Sequence, residues 1–322
     1  MLRNDRCCGR GGLWTAAGSL RSPAALFLGP AAERRRYVGE TRCISLERDD
    51  IAYLTELAEE NARARCTLGY LATNPLFSKP GGRRECTASC VLLAVGERVV
   101  LVTSSHALQS GGRQEFGAQD QILPIVGHIR RTLPASDRDT DQDSVDLAVV
   151  LLHPDVAAAI DRSILVPPTL LDTLERPEPP LSYLAIGYPY TRQRSHRISS
   201  ENAATAHGLL LTRQPLAAYA NIGLDPLGTA IVGFDKKRMF RRGEQVVSPD
   251  PIGMSGGSLW ALPGFPSPHA EGARLAGILI QWNRGAAKQI IATRAHVIYQ
   301  MLKELDPSLA EHYPNWSFGC ST

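Results

Sequence analysis

No apolar run in the 322-residue sequence approaches the roughly 20 residues needed to cross a bilayer, so a helical membrane span is excluded. Charge of one sign is also lacking: 35 Lys and Arg stand against 32 Asp and Glu, for a net charge of +3. Nothing in that balance points to nucleic acid. The basic residues gather only at Arg34-Arg35-Arg36 and at Lys236-Lys237-Arg238 to Arg241-Arg242. The second stretch, broken by Met239-Phe240, reads first as a solvated loop, with a basic groove as the alternative.

Cysteine is sparse and odd in number, with seven at positions 7, 8, 43, 66, 86, 90 and 320. That excludes an obvious disulfide framework and makes reducing conditions the simpler assumption. A cytoplasmic location is the resulting expectation, and the Arg-rich, acid-poor residues 1–40 leave mitochondrial-type targeting as the alternative. Metal-ligand patterns are missing too. Cys86 and Cys90 have no second Cys/His pair at ligand spacing. The alternate aspartates Asp137, Asp139, Asp141 and Asp143 lack the glycine and glutamate of a calcium loop, because Gln142 and Ala148 stand there. No metal and no cofactor is expected.

What the chain does have is 43% hydrophobic residues, ample for a core. Cys90 to Val95 and Arg98 to Thr103 read as two strands joined by a Gly96-Glu97 turn. They lead to His106, which a buried strand would hold in a stiff frame. Asp146 opens the apolar run Leu147 to Leu152, right for a buried strand, and a carboxylate at its mouth needs a partner. An imidazole N–H is a natural one. Near the C-terminal end, Gly253-Met254-Ser255-Gly256-Gly257 sets a serine among glycines, where the chain can bend sharply enough to expose a hydroxyl beside backbone N–H groups.

Helical spacing appears twice. Ile51, Leu54, Leu57 and Ala58 predict a helix of some four turns before the strands, and Val297, Ile298, Met301, Leu302 and Leu305 predict one stopped by Pro307. Val166-Pro167-Pro168 to Glu178-Pro179-Pro180 is a proline-rich linker.

The three motifs, in the order His, Asp, Ser and separated by 40 and 109 residues, resemble those of the trypsin/chymotrypsin-like serine peptidases, more closely the bacterial-type, disulfide-poor members. Leu101 to Ala107 is similar to that family's histidine motif, Ser144 to Val150 to its aspartate motif, and Gly253 to Leu259 to its serine motif. The resemblance covers about 67–305. It implies an all-β fold of two antiparallel six-stranded barrels with a C-terminal helix, preceded here by an extension containing a helix. The expected organisation is a disordered extension at 1–43, a helical segment at 44–66, a first barrel at 67–165, a linker at 166–180, a second barrel at 181–292, and a helix and tail at 293–322.

The resemblance also implies a serine endopeptidase acting on protein or peptide substrates. His106, Asp146 and Ser255 would be its catalytic residues and the N–H groups of Gly253 and Ser255 its oxyanion hole. Pro249 or Asp250 would lie at the base of the primary pocket, with Ile280 and Gln281 on the strand beside it. Met254 stands where secreted relatives have the aspartate that pairs with a freed N-terminus, so that activation route is not expected. Ala107 replaces a disulfide cysteine. Two alternatives remain: a catalytically silent peptide-binding module on the same scaffold, and a serine esterase or amidase. The latter matches G-x-S-x-G but requires the order Ser, Asp, His, and only His269, His296 and His312 follow Ser255.

Overall fold

The computed structural model describes residues 13–16, 48–79, 84–108, 114–132, 145–172, 181–190, 204–241, 244–267, 272–284 and 288–312. Of the extension at 1–43, only strand β1 (Leu13–Ala16) is described. The aspartates at 137–143 and most of the linker also lie outside the described residues. Helices α1 (Arg48–Arg65) and α2 (Thr67–Ala72) come next. Of the residues that predict α1, Leu57 is 49% exposed and Ala58 half-buried, while Glu59 and Ala62 are buried. The cause is where the helix docks. Its last turns meet a loop far along the chain, with Arg65 Nη2 donating to Pro263 O at 2.7 Å and Asn61 Nδ2 to Pro266 O at 3.4 Å.

Seven strands form the first sheet: β2 (Thr73–Ser78), β3 (Glu85–Val95), β4 (Arg98–Thr103), β5 (Glu115–Ala118), β6 (Gln121–Pro124), β7 (Gly127–Arg131) and β8 (Ala148–Leu152). Their order is β6-β5-β2-β3-β4-β8-β7, antiparallel throughout. The β3–β4 hairpin is the predicted one, turned by Gly96 at φ +56°. Instead of a six-stranded barrel closed by hydrogen bonds, this sheet curls. Its end strands β6 and β7 are consecutive in the chain and pair with opposite edges, so the bent backbone at Ile125–Val126 joins them where a ladder would. Pro124 at that bend has no N–H to give a ladder.

After α3 (Pro154–Ala157) the second unit begins, with β9 (Ser182–Gly187), β10 (His207–Arg213), α4 (Leu216–Ile222), β11 (Thr229–Gly233), β12 (Met239–Arg241), β13 (Glu244–Val246), β14 (Ser258–Ala261), β15 (Arg274–Asn283) and β16 (Gln289–Arg294). Here β9, β10, β11, β16, β15 and β14 close on one another as a six-stranded antiparallel barrel. Strand β1 runs parallel to β10 at its side, followed by β12 and β13.

Each unit has its own core, built around Leu92, Leu101 and Phe116 in the first and Leu209, Val232 and Leu259 in the second. A third cluster lies between them, where Val91, Val102 and Val149 meet Ile186, Trp260 and Ile278. The interface is thus a core in its own right, and it sets one unit against the other. Helix α5 (Ala295–Leu305) seals this cluster with Val297, Ile298, Met301 and Leu302, the predicted face. Among the described residues no helix is long and apolar enough to cross a membrane. Cys66, Cys86 and Cys90 are free and buried, and burial pushes the Cys66 and Cys86 thiols up to about 12. They are packing residues, not nucleophiles.

His296, buried on α5, has its imidazole lowered from 6.5 to about 4, first by burial and then by the neighbouring Arg294, with Asp225 acting in the opposite sense. The unfolded chain therefore takes up this proton more readily than the native one. The stability contribution is complete above about pH 6.5 and lost as the pH falls towards 4, amounting to at most about 3 kcal/mol. Urea unfolding at several pH values in this window is expected to give a shallower slope for His296→Leu than for the unsubstituted protein. Equal slopes would remove His296 from the acid sensitivity.

Candidate active site

The turn Ser105–Leu108 carries His106 out of β4. Polar contacts hold it at both ends: Ser105 Oγ donates to Thr132 O at 3.1 Å, and Gln114 Nε2 to Ala107 O at 2.8 Å. Asp146 then grips His106 twice. Its Oδ1 accepts the His106 backbone N–H at 2.9 Å, and its Oδ2 makes a short hydrogen bond with the ring Nδ1. With the carboxylate accepting, Nδ1 carries the hydrogen, and in the neutral imidazole Nε2 then presents a lone pair. The acid is itself braced, because Thr132 Oγ1 accepts from the next residue's N–H, that of Leu147, at 2.9 Å. The Asp146 side chain is 12% exposed and that of His106 44%, so the imidazole faces solvent while its partner is shielded.

The serine turn is held by its carbonyls. Tyr190 N donates to Ile252 O at 2.6 Å, Ser89 Oγ to Gly253 O at 2.9 Å, Gly257 N to Met254 O at 2.8 Å, and Ser89 N to Ser255 O at 2.8 Å. Three of its N–H groups are also engaged: Met254 with Pro251 O, Gly256 with Leu279 O, and Gly257 as above. The N–H groups of Gly253 and Ser255 have no internal partner among the described residues. In a trans peptide the N–H points opposite the preceding C=O. Anchoring Ile252 O and Met254 O therefore aims these two N–H groups away from the protein framework, as an oxyanion site requires.

Glycine is required at two points of this turn. At Gly253 (φ +91°) a Cβ would lie 2.7 Å from Tyr188 O, and at Gly256 (φ +82°) 2.0 Å from Ser89 O and 2.1 Å from Thr103 Oγ1. The second contact is with the strand that leads into His106, three residues on. By it the turn bearing Ser255 rests on the histidine's own scaffold, though no hydrogen bond joins Ser255 Oγ to the ring. Such bonds are often long before substrate binds. Met254 is buried in the second core and packs under Gly187, whose added Cβ would lie 2.9 Å from the Met254 Cβ. An aspartate there would be buried among apolar side chains.

Pro249 and Asp250 lie half-buried on the loop before the turn. The Asp250 charge is already matched, since its Oδ1 accepts from Lys236 Nζ at 2.7 Å. Lys236 also stands 6.0 Å from the Trp282 ring. One end of the basic stretch at 236–242 is thereby tied down, and Arg238 pairs at the surface with Asp235 at 3.8 Å. On β15, Ile280 is buried and Gln281 exposed. A cavity of about 160 Å³ lined by Tyr70, Asn74, Gly117, Gln119 and Tyr188 takes in none of the three motif residues. No group of three His, Cys, Asp or Glu side chains able to hold a metal occurs among the described residues.

Ser89 and Tyr190 are absent from any motif. The one sign of Ser89 in the sequence is a hydroxyl in the otherwise apolar run from Ala88 to Val95, where a buried polar group demands a partner.

No family model and no curated protein matches the chain. Among solved structures, it is similar to neuropsin, a serine protease expressed in the limbic system of mouse brain, at 16% identity over 74% of this chain and 95% of that one, with a TM-score of 0.48. It is likewise similar to a protease from M. tuberculosis in its active form, at 14% identity over 75% and 84%, TM-score 0.42. A serine endoprotease from Yersinia pestis is similar at 16% identity over 76% and 65%, TM-score 0.44.

Proposed function

We propose that this chain is a serine endopeptidase that cleaves peptide bonds through an acyl-enzyme. The observation that carries this is the double grip of Asp146 on His106, which presents a lone pair at Nε2 on the same scaffold that supports the serine turn. Ser255 Oγ attacks the substrate carbonyl as His106 Nε2 takes its proton. The carbonyl oxygen becomes an oxyanion and is met by the N–H groups of Gly253 and Ser255, each worth about 3 kcal/mol in the transition state. The C–N bond then breaks and the imidazolium passes its proton to the leaving amine. Water repeats the sequence on the ester, giving one proton to Nε2 and restoring Ser255. Asp146 stabilises the imidazolium and keeps its tautomer without taking the proton.

A serine-directed peptidyl phosphonate is expected to label the protein once, with labelling absent in Ser255→Ala and slowed at least about 100-fold in His106→Ala. Mass spectrometry of the labelled peptide checks this. Label retained in Ser255→Ala would defeat the proposal.

A further inference from the structure

We propose that Ser89 is a positioning residue of the oxyanion site, a latch supplied by the first unit; the inference rests on the serine-peptidase function proposed above. Its hydroxyl bridges two segments of the second unit. It accepts the Tyr188 N–H at 2.9 Å and donates to Gly253 O at 2.9 Å. Its backbone N–H donates to Ser255 O at 2.8 Å, and its own carbonyl is held by Thr103 Oγ1 at 2.7 Å. One residue thus holds both carbonyls that flank Met254 and Ser255 on either side.

The oxyanion site needs such a hold because Gly253 sits at φ +91° without a Cβ to limit it. Rotation of the Gly253–Met254 peptide would carry its carbonyl away from Ser89, break the Met254 N–H bond to Pro251 O and turn the Gly253 Cα to which the oxyanion-site N–H is attached. An aspartate after Gly253 could be anchored by a charged N-terminus, but Met254 offers no such anchor. The Ser89 hydroxyl, fully buried and with both its hydrogen-bonding roles filled within the protein, supplies the constraint instead. Its donors and acceptors are all present in the folded chain, so the site is formed without a cleavage step.

Ser89→Ala removes the bridge and leaves Gly253 O to find other partners. The expected result is a kcat about 10- to 100-fold lower with KM within about twofold, since the oxyanion exists only after attack. Affinity for a peptide aldehyde, whose adduct bears an oxyanion, falls by the same factor. Rates are taken per active site, titrated by exhaustive phosphonate labelling well below the unfolding temperature, so that lost stability does not register. Thr103→Val, isosteric, loosens the Ser89 carbonyl and is expected to show the same split at about 3- to 10-fold. If Ser89→Ala does not fold, this variant decides. A kcat within twofold of the unsubstituted protein in the variants that fold overturns the latch, while Ser255-dependent labelling and turnover of the parent remain intact. Loss of those in the parent overturns the peptidase assignment instead.

Discussion

Asp146→Asn is expected to lower kcat by about 10⁴ through the exchange of one oxygen for an NH2 group. The carboxylate accepts from two N–H groups of one residue, the His106 backbone and ring. An amide has only one accepting oxygen. If that oxygen stays on the backbone N–H, the amide nitrogen faces Nδ1 and donates to it, so the ring hydrogen moves to Nε2 and the base loses its lone pair. If the amide turns over, the backbone contact is lost and the turn Ser105–Leu108 loosens. Either way the imidazolium forms without its counter-charge. The loss corresponds to about 5 kcal/mol of transition-state stabilisation, with KM and the unfolding temperature changed little. Steady-state kinetics on a peptide substrate checks it, and a kcat within tenfold of the parent removes Asp146 from the mechanism. His106→Ala added to Asp146→Asn should cost little beyond His106→Ala alone, because the two act as a unit.

The legible parts of this molecule are those whose cause is local. Val99 to Val102 and Leu147 to Leu152 are apolar without alternation because both faces of β4 and β8 are buried, and such runs announce themselves. The hairpin at Gly96 and the face of α5 follow from a turn residue and a period. Other features depend on partners far away in the chain. The buried face of α1 is set by Pro263 and Pro266, about 200 residues on, and Leu57, one of the residues that predict it, faces solvent. Lys236 and Asp250 cannot be paired from composition, and their ion pair removes the charge that would have suggested a basic substrate. The bend at Ile125–Val126 has Pro124 as its only sign, and proline marks many breaks. Ser89 is the clearest case, because its worth lies in a bond to Gly253 across 164 positions.

Gly256→Ala is expected to be among the costliest glycine substitutions for stability, and Gly223→Ala is its control. Both glycines are left-handed, at φ +82° and +68°, so both substitutions incur the backbone strain of about 1–2 kcal/mol. At Gly223, which caps α4, an added Cβ meets nothing within 4 Å. At Gly256 it would lie 2.0 Å from Ser89 O and 2.1 Å from Thr103 Oγ1. Neither atom can withdraw cheaply. The two are hydrogen-bonded to each other on adjacent buried strands, and moving them apart breaks the hold on the serine turn. The turn must instead lift from the first unit, opening the core between the units. A loss above about 4 kcal/mol is expected for Gly256→Ala against about 1–2 for Gly223→Ala, read from urea midpoints. If Gly256→Ala folds, its phosphonate labelling should fall with its stability, because the lifted turn carries Ser255 away from His106. Equal losses at the two glycines, with labelling unchanged, would mean that the serine turn does not depend on Ser89 and Thr103 for its place, and that the two units are held together by their apolar core alone.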